Sequence, residues 1–408
     1  MDLNKYTYNY FLILFSLIPI SIIAGAAISM INILIIDFSF IILLFYKKDY
    51  FFIKEKTIIY LFILYAYLIF NSIISVDASE GFLRNFGFLR IIILFLAINY
   101  FFQDQTFFKK VFKFWSVIIL IVLIDVFIES FTGTNTLGFG NNIYGGDRIV
   151  SFFKDEPIVG GYLNGFYLII IGFLFNELKH NKNYLIFILS VVFIISILLT
   201  GERSNTIKAI LGISTFFLLY KNLDIKKKLI IILTIITIIS ITVSNSIFLK
   251  KRILHNISIL SKENNNIYFL LYKSGFEVFK NNIFFGVGNK NYRIETCTEI
   301  KKSDVYRCTT HPHQIYFEFL SEHGLIGTLI ILSIFYKLIF SKILGSVREK
   351  NYLKIGTLVY LIFVFTPVLP SGAFFTDYAL TLFTLNLGIF YASDKKLNIF
   401  SKNWIKKT

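Results

Sequence analysis

The chain has 408 residues, 56% of them apolar and 16% charged, with a mean hydropathy of +0.69. A soluble domain would hold about 45–50% apolar and about 25% charged residues, so soluble, disordered, collagenous and small disulfide-rich classes are excluded and an all-α polytopic membrane protein is expected. The formal charge of +16, from 41 Lys and Arg against 25 Asp and Glu, would suggest nucleic acid in a soluble protein; here it is first a matter of topology, and no nucleic-acid partner is expected.

Long apolar runs between charged or turn-rich breaks predict twelve spans, near 8–23, 27–46, 57–74, 86–102, 112–130, 158–176, 184–200, 204–220, 229–248, 314–336, 353–369 and 373–392. Asp37 interrupts the second, and the fourth is short. The first run lacks a basic leader and a small-residue cleavage site, so it reads as a retained span. With a cytoplasmic amino terminus, 24 of the 41 basic residues lie in inside segments, six (Arg84, Arg90, Arg148, Lys154, Arg203 and Lys208) in short outside segments, and 11 in one long outside loop, 249–313. This positive-inside bias makes both termini cytoplasmic. It divides the chain into 1–248, holding spans 1–9 and outer arginine segments; 249–313, a periplasmic loop with an amphipathic helix; and 314–408, holding spans 10–12 and a basic tail.

Long loops translocate regardless of charge, so the loop's local balance of +6 calls for its own account. One account is a solvated, lysine-rich loop. The other is a basic vestibule that attracts an anionic, phosphate-bearing substrate. Both cysteines, Cys297 and Cys308, fall in this loop, where a disulfide would stabilise the segment before His311 by on the order of a few kcal/mol. A metal site built from Cys297, Cys308, His311 and His313 is the sharper alternative, but the spacing lacks a C-x-x-C pair.

No phosphate-binding glycine loop, H-E-x-x-H or G-x-S-x-G occurs. Three polar segments remain at the outer ends of spans. The first runs from Gly145 through Arg148 to Pro157, with Pro157 suited to a helix start; alone, Arg148 reads as a snorkelling interfacial arginine. The second, Thr200-Gly201-Glu202-Arg203-Ser204-Asn205-Thr206, is the whole connection between spans seven and eight. It mounts Arg203 on a rigid turn beside a helix amino terminus, where a phosphate fits, unless Glu202 neutralises it as an ordinary turn pair. The third joins Asn281-Asn282-Ile283-Phe284-Phe285-Gly286-Val287-Gly288-Asn289, with Arg293 just beyond, to His311-Pro312-His313-Gln314-Ile315-Tyr316-Phe317, with Gly324 and Gly327 further on. His313 begins a helix with its ring toward the outer aqueous layer, which suits a base that titrates near neutrality. Glu318 and Glu322 lie about 140° and about 180° around that helix, so neither is its partner. His311 and His323 read as hydrogen-bonded interfacial residues.

These residues resemble the O-antigen ligase/O-antigen polymerase superfamily of membrane glycosyltransferases, whose pattern joins Pro-x-x-Gly-x-Gly-x-Asn to His-Asn-x-x-Leu and a Gly-x-x-Gly helix. Here Asn282 replaces the proline, Gln314 the asparagine and Phe317 the leucine. The resemblance extends over roughly 140–370 and implies a donor glycan on undecaprenyl pyrophosphate and an acceptor that is lipid A-core or another lipid-linked glycan. It places the enzyme among the lipids of the bacterial inner membrane and implies that no metal or cofactor is required. It makes His313 the general base of an inverting transfer, with Gln314 and His311 in support, and assigns the pyrophosphate to Arg203, Arg148 and, third, Arg293. Ligase activity is the first expectation and polymerase the alternative. The rival class is a polysaccharide flippase, for which Asp37, Asp125 and Glu129 are the candidate intramembrane acids.

Overall fold

A computed structural model describes residues 4–48, 50–140, 148–154, 156–178, 183–245, 250, 267–298 and 305–401. Gly145–Asp147 of the first polar segment, and loop residues 251–266 and 299–304, lie outside the described residues. In chain order the helices are α1 (Lys5–Ser16), α2 (Ile18–Ala24), α3 (Ala26–Lys47), α4 (Lys56–Ile73), α5 (Ala78–Phe102), α6 (Gln105–Thr132), α7 (Val159–Glu177), α8 (Asn183–Leu199), α9 (Arg203–Leu219), α10 (Ile225–Asn245), α11 (Ile267–Asn281), α12 (Tyr292–Cys297), α13 (Ile315–Leu338), α14 (Ile343–Arg348), α15 (Tyr352–Val364) and α16 (Asp377–Ala392). No strand occurs among the described residues, only an isolated bridge between Thr134 and Gly140.

Each of the twelve expected spans coincides with a helix, but among the described residues seven helices are long and apolar enough to cross a membrane, or eight if α1 and α2, bent by 42° at Leu17, form one span. The difference lies in α8, α9, α15 and α16, which have 17, 17, 13 and 16 residues. At 1.5 Å per residue they reach about 20–26 Å, short of the roughly 30 Å hydrocarbon core. All four pack on α7, in which 15 of 19 residues are buried. That burial explains why α7 is apolar on every face. In α10, by contrast, Ile235 alone is buried, so its apolar surface is left for lipid.

Asp37 does not face lipid: it is 2% exposed, within α3. The charge of Arg90, on α5, reaches it, and Arg90 itself pairs with Asp377 at the start of α16.

The Gly286-Val287-Gly288 motif works through the backbone. At Gly324 (φ 63°, ψ −168°) α13 is broken, which releases carbonyls and N–H groups that an apolar setting cannot leave unpaired. The Ile283–Gly288 segment crosses the break and takes them up. Val287 N–H donates to the Ser321 carbonyl and Gly288 N–H to that of Glu322, each at 2.9 Å; Leu325 N–H donates to Ile283 and Ile326 N–H to Phe284, at 2.7 and 3.1 Å. The approach is backbone to backbone: a Cβ on Gly324 would lie 2.4 Å from the Phe284 carbonyl carbon, and one on Gly286 2.4 Å from that of Glu322.

Gly324→Ala combines a left-handed φ with this clash and is expected to cost roughly 2 kcal/mol or more. The measurement is the thermal unfolding midpoint in detergent, set against Gly345→Ala, where a Cβ meets nothing within 4 Å. Equal midpoints for the two variants would show that the break is not under this constraint.

Candidate functional site

Two segments approach the amino-terminal end of α7, and a third, bearing the histidines, is tied through Ser371 to a cavity that α7 also lines. The first is the turn between α8 and α9. Its Glu202 does not pair with Arg203. The carboxylate instead accepts from the N–H groups of Gly160 and Gly161, at 2.5 and 3.1 Å, and from the Asn205 amide at 2.7 Å, so it caps α7. Burial pushes its pKa up to about 7, against the lowering effect of those hydrogen bonds and of the nearby Arg148 charge. That interaction places Arg148 beside the turn.

Two buried carboxylates hold the Arg148 segment in place. Asp125 Oδ1 accepts from the N–H and hydroxyl of Thr136, at 2.9 and 2.7 Å, and its Oδ2 accepts from the Ser151 hydroxyl at 2.6 Å. Glu129 accepts from the N–H groups of Val150 and Ser151, at 3.0 and 2.6 Å. These acids, weighed as transporter groups in the sequence, are thus committed to a loop. Because carboxylates are satisfied by backbone donors, the arginines stay uncommitted: among the described residues, neither the Arg148 nor the Arg203 side chain has a hydrogen-bond or ion-pair partner.

The histidines form the third segment. His313 adopts φ 56°, immediately before Gln314, whose side chain caps α13 by accepting from the N–H groups of Tyr316 and Phe317 at 2.8 and 3.0 Å. The ring is half-buried rather than turned fully to water, and it packs on His311 with centroids 4.0 Å apart. Ser371 ties both histidines down: its N–H donates to the His313 carbonyl at 2.9 Å, and its carbonyl lies 3.3 Å from His311 Nε2. Burial lowers the His313 pKa from the ordinary imidazole value. Burial, then the adjacent His313, takes His311 down to about 4. Both rings are therefore neutral at pH 7, the state a proton acceptor requires.

Ser371 is also part of a cavity of about 170 Å³ enclosed by α7, α9, α15, α16 and the 371–376 connection. Charged groups behind that connection fix it: Glu318 accepts from Phe374 N–H at 2.9 and 3.1 Å, and Asp377 pairs with Arg90. Facing the cavity are Asn164, Asn205, Lys208 and Tyr360. Lys208, counted in the sequence as one more outer charge, and the 371–376 wall were both missed. A lysine and an asparagine inside apolar runs were the available signal.

Other expected residues fall outside this grouping. Arg293 is exposed on the short helix α12. Cys297 and Cys308 form a disulfide with Cα atoms 4.6 Å apart. The thiols of the weighed Cys/His metal set are thereby consumed, and no group of three or more His, Cys, Asp or Glu gathers as a metal site among the described residues. His323 is fully buried, and neither ring nitrogen has a partner, which corrects its reading as a hydrogen-bonded interfacial residue.

The fold and site define a multi-pass membrane protein with a largely apolar cavity between helices that carries a few polar groups. Residues 188–332 match the family model described as O-antigen ligase, so the resemblance to the O-antigen ligase/polymerase superfamily holds over that segment. The match takes in Arg203, Lys208, His311 and His313; Arg148 and the 371–376 wall lie beyond it. No curated protein matches the chain.

Removing the Glu202 carboxylate in Glu202→Ala leaves two amides at the start of α7 without their acceptor and should cost about 1–3 kcal/mol. Arg148→Ala and Arg203→Ala break no bond among the described residues and should leave the detergent unfolding midpoint nearly unchanged. A large drop for either arginine variant would reveal a structural commitment.

Proposed function

We propose that the protein transfers a glycan from undecaprenyl pyrophosphate to an acceptor hydroxyl in a single inverting displacement. What supports this reading is uncommitted Arg148 and Arg203 near the amino-terminal end of α7, with neutral His313 tied through Ser371 to a cavity that α7 also lines. His313 removes the acceptor's proton as its oxygen attacks the anomeric carbon. The glycosyl–phosphate bond breaks as the new one forms, and the pyrophosphate departs with the electron pair. Arg203 and Arg148 stabilise the charge on that leaving group, a task a metal performs in other transferases. His311 packs against His313 and helps orient it, and Gln314 fixes the helix start behind it. Exposed Arg293, on the segment stapled by the disulfide, would meet acceptor phosphates at the rim. The site lies at the periplasmic face of the bacterial inner membrane, with both termini in the cytoplasm.

Ligase and polymerase differ only in whether lipid A-core or a second lipid-linked glycan supplies the hydroxyl. Ligase is placed first because a basic rim suits a phosphate-bearing core.

His313→Ala and Arg203→Ala should lower transfer by about 10²-fold or more while expression is retained; normal surface polysaccharide from a well-expressed His313→Ala variant would refute the mechanism. On lipopolysaccharide gels of a deletion strain, loss of all chains with lipid-linked polymer accumulating identifies a ligase and a single-repeat band a polymerase. Repeats trapped on the inner leaflet identify a flippase.

The pH profile gives an independent check. Desolvation favours neutral imidazole, so the base persists as pH falls below the unperturbed value of about 6.5. The acidic limb of the transfer rate should therefore lie below pH 6.5. A limb above that value would remove His313 as the titrating base.

A further inference from the structure

We infer that the cavity beneath the histidines is the seat of the phosphoryl group itself, with Lys208 as its cation and Asn164, Tyr360 and Ser371 as neutral donors. This rests on the glycosyl-transfer reading and adds to it residues that neither the sequence motifs nor the outer arginines supply.

The donor inventory carries the argument. Lys208, Asn164, Tyr360 and Ser371 all line the cavity, and among the described residues none of their side chains has a hydrogen-bond or ion-pair partner. Ser371 Oγ is a buried orphan outright. Buried polar groups are nearly always paired, so the buried Ser371 Oγ, with three more unpaired donors lining the same space, indicates a ligand. Their chemistry names its class. An ammonium donates three hydrogens and accepts none, and the amide and two hydroxyls can all donate; no carboxylate lines the cavity. Such a set complements phosphoryl oxygens.

The remaining walls are apolar. Leu168, Phe363, Val364, Leu382 and Phe383 lie against the same space, matching a ligand whose phosphate is attached to a hydrocarbon chain. Placement agrees with the chemistry. Lys208 lies about 7.5 Å further along α9 than Arg203 and about 140° around it, so Lys208 lines this cavity while Arg203 does not. Ser371 connects the cavity to both histidines through its backbone, which brings a phosphate seated there close to the proposed base.

The experiment titrates the detergent-purified full chain with geranylgeranyl pyrophosphate, inorganic pyrophosphate and phosphatidylglycerol micelles by calorimetry. Lys208→Met should weaken geranylgeranyl pyrophosphate binding by about tenfold or more, and Lys208→Arg should largely restore it. Tyr360→Phe, which removes one cavity hydroxyl and no bond among the described residues, guards against a lysine variant that fails to fold; it should weaken binding severalfold with an unchanged unfolding midpoint. Competition by inorganic pyrophosphate supports the phosphoryl assignment, whereas phosphatidylglycerol binding as tightly as the prenyl diphosphate overturns it in favour of a lipid headgroup site. Unaltered affinity in both Lys208→Met and Tyr360→Phe, or a wild-type protein that binds no pyrophosphate lipid, overturns the inference. Either result leaves the transfer reading to be judged by His313→Ala in cells, so the two can fail separately.

Discussion

The break in α13 is the constraint on which the rest of the structure depends. In a bilayer, backbone groups have no water to turn to, and a helix that opens at Gly324 must find partners within the protein. Ile283–Gly288 supplies them, and the cost of the kink becomes a joint between the loop and the membrane core. Downstream, α13 is an ordinary apolar helix. Upstream, its first turns are freed to carry Gln314 as cap, Glu318 as anchor for Phe374, and His313 just before the first turn.

The division of labour among charges follows from the same scarcity of water. Carboxylates near the site are spent on backbone donors: Glu202 on α7, Asp125 and Glu129 on the loop before it, Glu318 on the 371–376 wall. Had Glu202 paired with Arg203, as a turn pair on the surface would, the cation would have been neutralised and α7 left without a cap. Assigning each acid to N–H groups resolves both problems. It orders three unconnected segments and leaves Arg148 and Arg203 with their charge available.

What could be read in the sequence was whatever depends on local pattern. Apolar runs located the helices of the membrane core though not α11, α12 or α14, and Gly286-Val287-Gly288, Gly324, Arg203 and His313 stood out because their roles are tied to backbone conformation or to a helix end. The expected twelve runs exceed the seven or eight described helices long enough to span because an apolar run does not reveal its helical length: α15 has only 13 residues, and its apolar character reflects burial against α7 as much as contact with lipid. The part played by Asp125 and Glu129 was not legible for a related reason. An acid in an apolar run looks the same whether it faces a transport path or receives a loop folded back from 11 to 26 residues away, and only the fold distinguishes them. Lys208, Asn164 and Ser371 belong to three different elements, and no one-dimensional pattern brings them together.

The cavity's donors bear on how such a site could work without relying on a bound ion for charge. An unpaired lysine and buried hydroxyls have given up much of their hydration on folding, a cost borne by the packing of α7 against its neighbours rather than by the ligand. A phosphoryl group arriving there meets dipoles that are already oriented. Under the proposed transfer, charge accumulating on the departing oxygens would meet cations that need little reorganisation. The rigidity of the surroundings is then as much part of the chemistry as the cations: the wall pinned by Glu318 and by the Arg90–Asp377 pair, and the α7 terminus pinned by Glu202, hold the donors in register. Under the proposed transfer, loosening either pin would be felt at the leaving group as well as in stability.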